Sequence, residues 1–183
     1  MTKSRKRPVP DAPLTASRPA LLVKGSDAQF RALIHDLIAY GHRLDDCRNA
    51  FAAIVGVSGL QYEILMLVGR SGGLSVGAVA ARLHRSGAFI TIEAAKLVQR
   101  SVLEKAQDPE DGRRVRLRLT ARGEQMVRRL APVQQQVNDT LFACLDAKRF
   151  RQLRLLARDL VSCGDRGAAL AEFLARDAGI RAA

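Results

Sequence analysis

The sequence predicts a mainly α-helical chain that carries one small β-wing. Apolar residues recur at steps of three and four along most of its length, the period of a half-buried helix. One stretch alone switches to a period of two. It is Val115-Arg116-Leu117-Arg118-Leu119, and it directly follows the turn-forming cluster Asp108-Pro109-Glu110-Asp111-Gly112. Aromatic residues make up only 4% and tryptophan is absent. The core of a chain that is 48% hydrophobic must then be aliphatic and alanine-rich, which favours helix. At 183 residues the chain is long enough for one domain with a real core.

Residues 1–26 read as a disordered basic tail. Pro8, Pro10, Pro13 and Pro19 sit among Lys3, Arg5, Lys6 and Arg7 with no apolar period. Asp27 can begin a long first helix. Phe30, Leu33, Ile34, Leu37, Gly41, Leu44, Cys47, Phe51 and Ile54 form its stripe, which is longer than a typical globular helix and needs something long to pack on. His35 and His42 share a face two turns apart, but no carboxylate at zinc-like spacing joins them, so no metal site is expected.

Gly56, Ser58 and Gly59 break this helix, and a second is expected from about Leu60 to Gly69. Arg70-Ser71-Gly72-Gly73 ends it. Ser75 can cap a short third helix, Val76 to His84, and Ser86-Gly87 makes the next turn. A fourth helix, roughly Ala88 to Arg100, would bury Ile90, Ala94, Leu97 and Val98 and expose Phe89, Thr91 and Glu93. The hairpin follows at once, and Thr120 can cap a fifth helix that runs to about Leu145 with Pro132 inside it as a kink or tolerated bend. Asp146 can cap a sixth helix ending at Gly164. A last short helix is expected at about Asp165 to Arg176, with Leu170, Phe173 and Leu174 on it. The expected division is a tail at 1–26, a helical dimerisation region at 27–56 and 121–163, a winged helix-turn-helix lobe at 57–120 and a C-terminal extension at 164–183.

Charge then narrows the function. The formal net charge is +12, and residues 57–120 hold ten Lys/Arg against six Asp/Glu. Such a balance points to polyanionic partners, nucleic acid first. Two short helices joined by a tight turn form a helix-turn-helix, whose second helix is the candidate reader of the major groove. Phe89 can touch a thymine methyl, Thr91 can bond a base edge or phosphate, and His84, Arg85 and Ser86 at the turn are placed for phosphate. An arginine at the hairpin tip can reach the minor groove. Taken alone, the hairpin reads equally well as a solvated surface element whose arginines keep an edge strand soluble. Phe89 alone reads equally well as core packing.

With Asp108-Pro109-Glu110-Asp111-Gly112-Arg113-Arg114 and Leu119-Thr120-Ala121-Arg122-Gly123, the chain resembles the multiple-antibiotic-resistance regulator (MarR) family of winged-helix transcription factors. These runs look like that family's DPxDxR wing and LTxxG helix start, and the resemblance covers about residues 27–163. It implies that Asp111 orients Arg113, that Arg113 enters the minor groove, and that Arg114 adds a phosphate contact. It also implies a homodimer binding a pseudo-palindromic operator in double-stranded DNA, usually as a repressor, in the cytoplasm. A small anionic or aromatic effector would then bind, with His42, Arg43 and Tyr62 as candidate polar lining. The chain departs from the pattern at Ser101, where a glycine usually ends the recognition helix, and at Gly77-Ala78, where a glutamate often follows the cap.

Cys47, Cys144 and Cys163 are odd in number and far apart, which fits neither a disulfide framework nor a zinc site. A cysteine-based redox sensor of the same fold is the alternative function, and a winged-helix protein-interaction module is a further one. No HExxH, P-loop or GxSxG motif occurs, so an enzyme is not expected and no cofactor is implied. No transmembrane span or secretory signal is read.

Overall fold

The computed structural model describes residues 13–107 and 115–178. Six helices and one hairpin follow in the order α1 (Ala28–Ile54), α2 (Gly59–Ser71), α3 (Val76–Arg82), α4 (Gly87–Gln99), β1 (Leu103–Gln107), β2 (Val115–Leu119), α5 (Ala121–Leu141) and α6 (Ala147–Asp177). The chain divides into two compact units, Met1–Pro132 and Val133–Ala183, and the boundary falls inside α5.

In the first unit the core lies among α2, α3, α4 and the hairpin. Ile64, Leu65, Val68, Val79, Ile90, Ala94, Leu97, Val102, Leu103 and Leu117 are all buried there. Each large side chain so buried stabilises the fold by roughly 1.5–3 kcal/mol. The helix ends are set locally. Ser58 accepts from Gln61 N–H at 3.2 Å while Gln61 Oε1 accepts from Ser58 N–H at 3.2 Å, a reciprocal cap on α2. Gly72 ends α2 with φ of 65°, a left-handed conformation that suits glycine.

The strands pair antiparallel with Leu103 opposite Leu119, Lys105 opposite Leu117 and Gln107 opposite Val115. A third strip of backbone joins them. Leu74 N–H donates to Leu117 C=O at 3.0 Å and Leu117 N–H donates to Leu74 C=O at 2.7 Å. The segment between α2 and α3 is thereby bonded to the hairpin, so the wing is held by the helix-turn-helix itself. The sequence carries no period for this single bridge.

Two expectations are corrected. Residues 13–26 are ordered where a disordered tail was expected. They contain a 3₁₀ turn at Pro19–Leu21 and a bridge between Val23 and Ser26. The anchor is Asp27, whose buried carboxylate accepts from Thr15 N–H at 2.6 Å and Thr15 Oγ1–H at 2.7 Å and pairs with Arg31. Asp27 thus stands at the start of α1 without capping it by its side chain. Second, α6 does not stop at Gly164 but continues to Asp177. Gly164 has no positive φ, and a helix-interior glycine costs only about 1 kcal/mol relative to alanine, too little to end a run free of proline. Pro132 is likewise contained within a continuous α5.

In the second unit no residue of α6 is buried, and Phe150, Leu153, Leu156, Leu160, Phe173 and Leu174 are all exposed. Along α1, Leu33, Ile34, Leu37, Ile38 and Leu44 are exposed as well. Among the described residues, no single helix is long and apolar enough to cross a membrane.

Candidate nucleic-acid interface

Serines fix the two helices of the helix-turn-helix at their starts. Ser75 Oγ accepts from Ala78 N–H at 3.2 Å, and Ser86 Oγ accepts from Phe89 N–H at 3.3 Å. Between them the chain turns through His84, whose φ is 50°. Arg85 N–H donates to Ala80 C=O at 3.0 Å and His84 N–H donates to Ala81 C=O at 3.4 Å, which closes the end of α3. Histidine tolerates this left-handed position better than most non-glycine residues do. His84 and Ser86 therefore have local structural work, whatever else they meet, and Arg85 is exposed beside them.

The exit of α4 repeats the device. Ser101 has φ of 55°, Ser101 N–H donates to Val98 C=O at 2.8 Å, and Val102 N–H donates to Leu97 C=O at 3.0 Å. A serine thus holds a left-handed conformation, in the position where the resemblance expects a glycine. Thr120 then joins this exit to α5. Its Oγ1–H donates to Ser101 C=O at 2.7 Å, while Oγ1 accepts from Gly123 N–H at 3.1 Å. A Cβ on Gly123 would run into the Val102 carbonyl. Leu119-Thr120-Ala121-Arg122-Gly123 is thus a joint: an apolar anchor, a cap and a close backbone approach.

On α4, Phe89 is 45% exposed and Thr91 is exposed, as the sequence suggests, and Phe89 is not core packing. Thr91 Oγ1–H is spent on Gly87 C=O at 2.8 Å. Glu93 corrects the reading. It is buried, accepting from Gln61 Nε2 at 2.8 Å and from Lys96 Nζ at 2.6 Å. The Lys96 ammonium and then the Gln61 amide hold its carboxyl below the usual range, against burial, which raises it. Ile92, which the periodicity left unassigned, is 55% exposed on the outer face. It lies two residues past the buried Ile90, about 200° around the helix, and that offset is the signal by which sequence reading could have found it.

The hairpin stands beside this surface with Lys105 exposed and Arg116 half-buried on its strands. Asp111, Arg113 and Arg114 lie outside the described residues.

The candidate ligand residues lie on the first two helices. His42 and Arg43 are exposed on α1, and Arg43 pairs with Asp46 at 3.1 Å. Tyr62, on α2, packs its ring 5.9 Å from that of Phe51. A cavity of about 410 Å³ instead lies between the end of α1 and the start of α5, lined by Ile54, Val55, Arg122, Gln125, Met126, Arg129 and Leu130. Arg122, Gln125, Met126 and Arg129 lie at steps of three and four, which stacks them along one face of α5.

Among the described residues no three His, Cys, Asp or Glu side chains converge as metal ligands. The three cysteines are free thiols; Cys144 and Cys163 are exposed, Cys47 is half-buried, and Cys163 sits inside α6.

Residues 55–114 match the MarR family. The uncharacterized HTH-type transcriptional regulator YhbI of Bacillus subtilis is 26% identical over 106 residues, spanning 58% of this chain and 69% of YhbI. Among solved structures, the PcaV transcriptional regulator from Streptomyces coelicolor in complex with its natural ligand is 27% identical. Its TM-score is 0.53, with 68% of this chain and 90% of that one covered. A mutant MarR from E. coli complexed with operator DNA has a TM-score of 0.58 at 19% identity, covering 73% of this chain and 94% of that one, a likeness of fold.

Proposed function

We propose, for a chain whose residues 55–114 match the MarR family, that it is a sequence-specific double-stranded-DNA-binding repressor acting as a homodimer on a pseudo-palindromic operator. The observation that carries this is the bridge between Leu74 and Leu117, which fixes a basic wing to a capped helix-turn-helix. A reading helix and a wing held as one body can engage a major groove and the adjacent minor groove together. The operator-bound MarR of the same fold supports the same reading.

In this proposal α4 enters the major groove with Phe89 and Thr91 outward, and His84, Arg85 and Ser86 lie at the phosphates. Arg113, oriented by Asp111, enters the minor groove, and Arg114 meets the backbone. The homodimer is supported by the exposed apolar residues of α1 and α6, which one copy leaves uncovered. A two-fold pair would set two reading helices about one DNA turn apart.

The effector is a small aromatic anion, a class that the α1–α5 cavity suits. Arg122 and Arg129 offer guanidinium forks to a carboxylate, and Ile54, Val55, Met126 and Leu130 offer an apolar wall to a ring. The ligand-bound PcaV is the relative that supports ligand response.

Selection of binding sites from a random duplex pool tests the reading. Palindromic enrichment is expected, with Arg113→Ala weakening the selected site while dimerisation and helicity stay intact. Unchanged affinity in Arg113→Ala would remove the minor-groove role. Aromatic carboxylates should release the DNA from the parent protein and not from Arg129→Ala.

A further inference from the structure

We propose that α4 reads thymine by its methyl group, with Phe89 and Ile92 as the specificity-determining residues. This inference rests on the DNA-binding reading above and specifies what that surface recognises.

The outward side of the first two turns of α4 has almost no hydrogen-bonding capacity. Gly87, Ala88, Phe89, Thr91 and Ile92 are exposed there, and Ala95 is half-buried. Thr91 donates its hydroxyl hydrogen to Gly87 C=O. Glu93 is turned inward to Gln61 and Lys96, which also ties down the first long cation of the helix. From Gly87 to Ala95 the sequence holds no Arg, Lys, Asn or Gln. The bidentate pairings that identify guanine or adenine in the major groove need those side chains. What remains is Phe89, 45% exposed, and Ile92, 55% exposed, one turn apart. Their separation along the axis is about 4.5 Å, between one and two base-pair steps of about 3.4 Å. The thymine methyl is the apolar feature of the major groove, and an apolar side chain is its complement.

Charge selects the occupant of this face. Arg82 and Arg85 flank it at the turn and Lys105 stands on the neighbouring strand, all exposed. Residues 57–120 carry ten basic against six acidic residues. An apolar patch framed by cations fits a polyanion whose groove floor carries methyl groups.

The test uses the full chain and the duplex sites it enriches from a random pool. Each thymine is replaced in turn by deoxyuridine, which removes the methyl and leaves base pairing intact. One or two neighbouring thymines per half-site should lose about fourfold in affinity on replacement, the worth of one buried methyl. In Phe89→Ala or Ile92→Ala, thymine and uracil should then be bound alike at the matching position, while Ile92→Val keeps most of the difference. Both residues are exposed, and circular dichroism checks that the variants fold.

Specific binding that tolerates uracil at every position would overturn the methyl reading and leave the DNA-binding reading standing. No enriched site at all would overturn both. A change of assembly state in Phe89→Ala or Ile92→Ala, without loss of thymine discrimination, would assign the face to a protein partner and also overturn the proposal.

Discussion

The side-chain amide of Gln61 donates to the buried carboxylate of Glu93 at 2.8 Å, across 32 residues of sequence. The other end of the same amide caps α2. One residue therefore fixes both where α2 begins and how α4 lies against it. Gln61→Ala should destabilise the protein by about 1–3 kcal/mol, because it leaves a buried acceptor short of a donor and opens a helix cap. Equilibrium denaturation measures this, and the affinity for DNA should fall with it as α4 loses its seat. An unchanged midpoint would mean that Lys96 alone satisfies Glu93.

Gly123 has no room for a side chain, since its Cβ would overlap the Val102 carbonyl. Gly123→Ala should cost about 1–3 kcal/mol as the joint between wing and α5 is forced apart. Thermal denaturation reads the loss directly. A stability equal to that of the parent would mean that the joint relaxes freely.

Much of this was legible in the sequence because it is local. The caps at Ser75 and Asp146, the glycine pair ending α2 and the alternation of β2 each lie within a few residues of their cause. What was not legible depends on contacts distant in the chain. Glu93 looked outward by its charge, but Gln61 turns it in. Residues 13–26 looked disordered by composition, but Thr15 meets the buried Asp27. Gly164 looked like a stop, yet nothing near it supplies a left-handed turn. For the site, the exposure of Phe89 and Thr91 was readable from helical period. The α1–α5 cavity was not, because its walls come from segments some 70 residues apart.

Ser101 holds a left-handed conformation at the end of α4. Ser101→Gly should raise stability by about 1 kcal/mol by removing that strain. The bonds from Ser101 and Val102 to the last turn need no side chain, so the fold and any DNA binding should persist. A lower unfolding temperature would show that the backbone there is already relaxed.

Asp27 makes the start of the described chain sensitive to acid. Its carboxyl is held below the usual range by the Thr15 N–H first and the Thr15 hydroxyl next, with Arg31 adding to them and burial opposing. A lowered carboxylate contributes stability that is complete above the ordinary carboxylate range and is lost as pH falls through the lowered value. Hydrogen exchange at residues 13–26 should therefore be slow at neutral pH and quicken on strong acidification. Asp27→Asn should show the fast behaviour already at neutral pH. Equal protection in Asp27→Asn would move the anchor of the segment elsewhere.

Specific DNA binding is read by fluorescence anisotropy with a selected duplex and a scrambled one at several salt concentrations. The selected duplex should bind roughly a thousandfold tighter or more, with both affinities falling as salt rises. Equal, weak, salt-sensitive binding to the two duplexes would contradict it, because the basic charge would then attract polyanions without reading a sequence.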